Sequence, residues 1–186
     1  MRVISGRFKS RRLKAAPPEG IRPTSDKLKE TLFNVLGIRV QGSTFLDGCS
    51  GTGGIGIEAL SRGAQQVYFV DQSSKACRIV KENLHLLEIA EGNTILTMDI
   101  VKALDRFARE SVQFDIAFID PPYDREDLYE KSLERFGTTP LLTADGILIL
   151  EHSKRRTMPV AAGSLQKFRT LVQGDAALAF YKPETT

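Results

Sequence analysis

Four short β-prone runs in this chain each close on an aspartate, and three stretches long enough for helices separate them. The runs are Thr44-Phe45-Leu46-Asp47, Gln66-Val67-Tyr68-Phe69-Val70-Asp71, Thr94-Ile95-Leu96-Thr97-Met98-Asp99 and Phe114-Asp115-Ile116-Ala117-Phe118-Ile119-Asp120. Strands that alternate with helices imply a parallel sheet. Parallel strands share a direction, so the four carboxylates gather at one edge, where open α/β sheets bind ligands. Aspartate is poor inside strands and common in the turns after them, so any one of the four can be a turn former. Four at one edge are harder to explain as turn chemistry.

The spacing predicts strands at 43–47, 66–71, 93–98, 114–120 and 145–151, with helices at 54–62, 74–88, 101–109 and 126–136. Two further runs, 165–173 and 177–182, are joined through Gly174-Asp175, a turn short enough to make them antiparallel. Before the first strand, Thr24 or Ser25 caps a helix to Leu36 with Leu28, Leu32, Phe33 and Leu36 on one face, and Gly37 ends it.

Two loops carry the chemistry. After Asp47 comes Gly48-Cys49-Ser50-Gly51-Thr52-Gly53-Gly54, and Gly51, Gly53 and Gly56 match G-x-G-x-x-G between a strand and a helix. Glycines admit close backbone approach, and a helix N-terminus presents free N–H groups. That pattern also serves nicotinamide dinucleotides, so an NAD-dependent oxidoreductase is one reading. A carboxylate directly before the loop would repel a pyrophosphate, however, and suits a cationic amine such as that of S-adenosylmethionine. Asp71 falls about 20 residues beyond the glycines, where an acid binds ribose hydroxyls. After the fourth strand, Asp120-Pro121-Pro122-Tyr123 combines a carboxylate, two residues that lack backbone donors, and a flat ring. Acceptors beside a stacking face suit a heterocycle with an exocyclic amine. Cys49 can be read as a nucleophile, although no histidine lies near it in sequence.

Charge is uneven. Residues 1–29 hold nine basic residues and two acidic ones, a net +7, so the remainder of this +3 chain carries −4. A basic arm on a mildly acidic body is the footprint of a nucleic-acid partner. Val3, Ile4, Phe8 and Leu13 are interleaved with the charges, and Gly6-Arg7 sits between two β-prone runs, which suggests an RNA-contacting hairpin. Pro17-Pro18-Glu19-Gly20 reads as a linker, and the terminal Pro183-Glu184-Thr185-Thr186 as frayed. No apolar run reaches about 18 residues and no signal h-region is present, so neither a membrane span nor secretion is expected. Two cysteines are too few for a disulfide scaffold and fit a reducing cytosol. His85 and His152 are too isolated to build a metal site.

The segments Met1-Arg2-Val3-Ile4-Ser5-Gly6-Arg7-Phe8-Lys9, Arg22-Pro23-Thr24-Ser25-Asp26, Asp47 to Gly53, Glu58-Ala59-Leu60-Ser61-Arg62-Gly63-Ala64 and Asp120 to Tyr123 carry a resemblance that runs nearly end to end. The chain resembles the class I S-adenosylmethionine-dependent methyltransferases, and more narrowly the RsmD-type enzymes that methylate the N2 amine of a guanine in 16S ribosomal RNA. The tetrapeptide alone is shared with adenine-N6 and glutamine-N5 methyltransferases; the N-terminal segments are more specific. The resemblance implies a Rossmann-like, mostly parallel seven-stranded sheet with one reversed strand and helices on both faces. To this it adds a basic N-terminal β-hairpin and linker over 1–22 and a catalytic domain over 23–186. It implies S-adenosylmethionine bound by Asp47, Gly51, Gly53, Asp71, Asp99 and Asp120, and catalysis by Asp120, Pro121 and Tyr123. Arg2, Arg7, Lys9, Arg11, Arg12, Lys14 and Arg22 are then the RNA contacts of a cytoplasmic, metal-independent monomer acting on 16S rRNA or the small ribosomal subunit. One departure is Gly48-Cys49, where family members often carry a bulky apolar pair; it is expected to loosen the cofactor loop. An adenine-N6 methyltransferase and a non-catalytic RNA-binding assembly factor remain alternatives.

Overall fold

The computed structural model describes residues 1–15 and 26–184. The linker at Pro17–Gly20, Arg22, the Thr24 or Ser25 cap, the boundary at 22/23 and the last two residues of the tail lie outside the described residues. The elements in chain order are α1 (Asp26–Leu36), a 3-10 turn (Gly37–Val40), β1 (Thr44–Gly48), α2 (Gly54–Ser61), β2 (Gln66–Asp71), α3 (Ser74–Leu86) and β3 (Asn93–Thr97). They continue with α4 (Ile100–Arg109), β4 (Phe114–Ile119), α5 (Glu126–Thr138), β5 (Leu142–Ser153), β6 (Ala161–Ala162), β7 (Leu165–Gln173) and β8 (Ala176–Pro183).

One sheet runs β3-β2-β1-β4-β5-β8-β7-β6. Strands β1 to β5 are parallel, and β8 runs antiparallel between β5 and β7. The seven expected strands are present, and the two-residue β6, too short to show a period, adds an eighth beside β7. Alternating side chains divide the core. Phe45, Ile116, Phe118, Ile149 and Phe180 face α1, α2 and α3 through Phe33, Ile57 and Val80. Leu46, Ala117, Ile119, Leu150 and Tyr181 face α4 and α5 through Leu104, Phe107, Leu133 and Phe136. Burial on both faces explains why β4 and β5 read as nearly continuous apolar runs. β5 exceeds its expected span because Leu142 pairs with Phe114 across a bulge, while its far end extends to Ser153 against Ala176 of β8.

The N-terminal segment differs from the hairpin expected. Arg2 and Arg12 form one antiparallel bridge, flanked by Val3 N–H to Arg11 C=O at 3.0 Å and Leu13 N–H to Met1 C=O at 3.1 Å; no strand ladder forms. The segment also closes on the body. Val3 and Leu13 are buried in the α1–α3 core, and the amides of Ile4 and Ser5 donate to the Glu58 carboxylate of α2 at 2.8 and 3.0 Å. Glu58, fully buried, also pairs with Arg62 at 2.9 Å and with the buried Lys29 of α1 at 3.6 Å. Gly6 has φ +83°, and a Cβ there would lie 1.8 Å from the Ser61 carbonyl oxygen, so only glycine permits this approach.

Candidate active site

The sheet brings the four strand-end acids together. Asp47 lies in β1 between Phe69 of β2 and Phe118 of β4. Asp71 ends β2 opposite Thr97. Asp99 follows β3 and caps α4, its Oδ1 accepting from the Val101 and Lys102 amides at 2.9 and 3.3 Å. Asp120 follows β4, and its amide donates to Gly48 C=O at 3.1 Å. Cys49 sits among them: burial first, then Asp120, Asp71, Asp99 and Asp47, pushes its thiol well above its ordinary range. A thiol held protonated is no nucleophile.

Two of the acids brace the glycine loop. Asp47 Oδ2 accepts from Gly56 N–H at 2.8 Å. Asp71 accepts from Gly51 N–H through Oδ2 and from Ser73 N–H through Oδ1, both at 2.8 Å. Gly51 and Gly53 adopt φ +52° and +78°, the left-handed region open to glycine. A Cβ on Gly56 would lie 2.3 Å from the Phe69 ring, so the third glycine of the motif lets α2 pack on the sheet. At Gly48 the space for a Cβ is already taken by Ile100 Cδ1 at 2.9 Å and Ile119 Cγ1 at 3.0 Å.

Burial raises the Asp47 carboxyl to about 8; the Gly56 amide opposes this and Asp71 adds to it. The Ser50 hydroxyl, buried in the same loop, has no hydrogen-bond partner among the described residues. A ligand that brings a cation to Asp47 and a polar group to Ser50 would relieve both costs. The residues present at Asp47 and Ser50 therefore fit S-adenosylmethionine. A cavity of about 370 Å³ borders this set only at Asp99 and runs between α4 and α5, where Lys102, Arg125, Asp127 and Lys131 line it.

The tetrapeptide stands at the same edge. Burial, followed by Glu151 and then Asp47, raises the Asp120 carboxyl well above its ordinary range. Glu151 closes the run expected at 145–151 as the aspartates close theirs, but it is a glutamate and stands outside the four-aspartate set; it lies within β5, buried, directly after Leu150, which pairs with Ile119. Tyr123 is 45% exposed. The turn's carbonyls are not left empty, as the prolines alone suggest. Pro121 C=O accepts from the Tyr129 hydroxyl at 3.2 Å, and Pro122 C=O from the Arg125 amide at 2.9 Å. Each oxygen keeps a second lone pair.

The basic residues are distributed differently. Arg2, Arg7, Lys9, Arg11, Arg12 and Lys14 are all exposed. Arg2 pairs with Asp26 and Lys14 with Glu82, while Arg11 donates to Leu86 C=O at 3.1 Å. The Arg7 amide docks on Ser61 C=O at 2.7 Å, at the end of α2 away from the glycine loop. An eight-residue helix is about 12 Å long, so Arg7 and Lys9 do not converge on the acids. The opposite end of the segment does approach the loop. Asn83, fully buried, donates to both Thr52 C=O and Lys14 C=O at 3.1 Å and accepts from the Lys14 amide at 2.7 Å. Nothing local in the sequence announces that bridge.

Residues 1–182 match the family model described as "Conserved hypothetical protein 95". The chain is 39% identical over 182 residues to the "Putative rRNA methyltransferase YlbH" of Bacillus subtilis, covering 98% of each. It is 33% identical over 162 residues to the ribosomal RNA small subunit methyltransferase D of Haemophilus influenzae, covering 85% of this chain and 81% of that relative. A solved structure described as "Putative methyltransferase yhhF from Escherichia coli" superposes with a TM-score of 0.86 at 27% identity, over 100% of this chain and 99% of that one. With the family model spanning nearly the whole sequence and the relatives aligning over most of it, this chain belongs to the conserved hypothetical protein 95 family, the family of the RsmD-type methyltransferases.

Proposed function

We propose that this protein transfers a methyl group from S-adenosylmethionine to the exocyclic N2 amine of a guanine in the 16S rRNA of the small ribosomal subunit. The observation that carries the reading is the convergence of Asp47, Asp71, Asp99 and Asp120 around Cys49 beside the glycine loop. The RNA class follows from family relatives that are ribosomal RNA small subunit methyltransferases and from the basic segment. An enzyme of this kind works in the cytoplasm, as a monomer and without a metal.

Bound S-adenosylmethionine supplies a methyl group already activated on its sulfonium. The residues of this chain bind, orient and stabilise. Asp47 takes the cationic amine, Asp71 takes ribose hydroxyls while pinning Gly51, and Asp99 completes the cofactor set. Gly51 and Gly53 let the backbone approach. The target nitrogen is a poor nucleophile because its lone pair is delocalised into the guanine ring, so positioning matters most. Asp120 and the Pro121 carbonyl accept its two N–H bonds, which turns the lone pair outward and stabilises positive charge as it develops on nitrogen. Burial and the nearby Glu151 disfavour the Asp120 carboxylate in the free protein; an amine gaining positive charge favours it, and the carboxylate can take the proton that the nitrogen sheds once the methyl group is bound. Tyr123 stacks on the base, which enzymes of this kind take from a loop or extrude from its stack. Arg2, Arg7, Lys9, Arg11, Arg12, Lys14 and Arg22 contact phosphates, with Arg7, docked at the far end of α2, gripping RNA that flanks the target.

The test is transfer of labelled methyl from S-adenosylmethionine to naked 16S RNA, small subunits and DNA, with digestion to nucleosides. N2-methylguanosine from the RNA supports the reading. N6-methyladenosine would shift it to the adenine enzymes, and no transfer to any substrate would remove it.

A further inference from the structure

The Asp120–Tyr123 turn is held at three points. The Asp120 amide donates to Gly48 C=O at 3.1 Å, and the Arg125 amide closes on Pro122 C=O at 2.9 Å. Both are backbone bonds. The third is a side-chain hydrogen bond, the Tyr129 hydroxyl on Pro121 C=O at 3.2 Å. Tyr129 lies one turn into α5, buried to 1% exposure. The Arg156 guanidinium covers its ring at 4.3 Å from the centroid, and Arg156 in turn reaches Glu126 at 3.4 Å. The ring is thus clamped between the core and a cation from the loop after β5.

We propose that Tyr129 is a positioning residue for methyl transfer: it fixes the plane of the Pro121 carbonyl, so that this oxygen meets the target amine in one orientation. This rests on the reading of the tetrapeptide as the site of transfer. Two features make Tyr129 suited to the task. Pro121 and Pro122 have no amide hydrogens, so no backbone donor within the pair can orient the peptide plane; a donor must come from elsewhere, and Tyr129 supplies it. The hydroxyl also stays a donor at every working pH, because burial, together with Asp120 and Tyr123, pushes it above its ordinary range. A carbonyl that accepts one bond keeps a second lone pair for the substrate, so the brace and the target amine do not exclude each other. The cation over the ring adds an attraction of its own and keeps the phenol from swinging away.

Tyr129→Phe keeps the ring, its packing and the cover of Arg156, and deletes the one bond. In single-turnover transfer at saturating cofactor and RNA, we expect the rate to fall about tenfold, the scale of one hydrogen bond expressed at the transition state. Dissociation constants for S-adenosylmethionine and RNA should stay within about twofold, since neither is bound by this hydroxyl. With 13C-labelled proline carbonyls, the Pro121 resonance of the cofactor-free protein should move in Tyr129→Phe, whereas the other assigned proline carbonyls should not. A parental rate with an unmoved Pro121 resonance overturns the proposal. So does a loss that appears wholly in RNA or cofactor affinity, which would make Tyr129 a binding or merely structural residue. Asp120→Ala, run beside it, separates this failure from a deeper one. If Asp120→Ala is also fully active, the tetrapeptide is not the site of transfer; if Asp120→Ala is inactive and Tyr129→Phe is normal, only the brace is wrong.

Discussion

Cofactor binding should release a proton at Asp47. Burial holds this carboxyl at about 8 in the free protein, and a cationic amine placed against it favours the ionised form. A group with that value is ionised to about 1% at pH 6, about 10% at pH 7 and half at pH 8. If the complex requires the carboxylate, apparent affinity scales with that fraction. It should therefore strengthen about tenfold from pH 6 to 7 but only about two- to threefold more to pH 8, because an α-amino group is by then about half deprotonated. At pH 7 roughly 0.9 proton should leave per cofactor bound. Asp47→Asn keeps an oxygen for the Gly56 amide, cannot ionise, and should bind weakly with no pH dependence. Calorimetry in two buffers of different ionisation heat reads the proton count directly. A flat affinity between pH 6 and 8 with no proton released would show that Asp47 does not face the cationic end of the ligand. The same carboxyl governs stability in the opposite sense. The unfolded chain ionises it near 4 and the folded protein near 8, so its contribution is intact below about pH 4 and is lost as the pH rises through about 8. Asp47→Asn should accordingly melt higher than the parent at pH 8.5 and alike at pH 4.

Three other expectations are independent of that linkage. Glu58→Ala removes the acceptor for Ile4 and Ser5 and strands the buried Lys29 ammonium; chemical denaturation should show a loss of about 3–5 kcal/mol, and a loss under 1 kcal/mol would mean the network is dispensable. Replacing Arg7, Arg11 and Arg12 with alanine should lower the salt slope of RNA binding by about 2, at about 0.7 per phosphate of single strand, with cofactor affinity unchanged; an unaltered slope would put the RNA elsewhere. Tyr123→Phe should retain most activity, whereas Tyr123→Ala should lose a stacking contact worth roughly 1–3 kcal/mol, measured as RNA affinity and transfer rate.

The strands were legible because local chemistry marks them. Aspartates close apolar runs at Asp71 and Asp120, and the spans of β2 and β7 match the pattern residue for residue. The four acids could be placed on one edge without coordinates because parallel strands share a direction. What stayed hidden depends on distant partners. Glu58 reads as one more charge in a helix, and only its meeting with Ile4, Ser5 and Lys29 makes it the anchor of the N-terminal segment. That segment looked like an arm because its charges are contiguous, but Val3 and Leu13 turn inward, and residues 1–14 belong to the core as well as the surface. Tyr129 and Asn83 lack a signature for the same reason: each matters through a hydrogen bond to a carbonyl that the sequence cannot assign to it. Glu151 closes the expected run at 145–151 and was legible as a strand-end acid, but the pattern singled out aspartates alone; pairing with β8 carries β5 two residues past it.

The most direct test of the edge as the site of chemistry is the single-turnover rate of methyl transfer by Asp120→Ala at saturating S-adenosylmethionine, with cofactor affinity measured on the same preparation. Loss of one preorganised electrostatic partner predicts a rate lower by on the order of 10²–10³, with the cofactor still bound. Transfer at the parental rate would contradict the account, because the Asp120-Pro121-Pro122-Tyr123 segment would then be a turn and the amine would be methylated elsewhere.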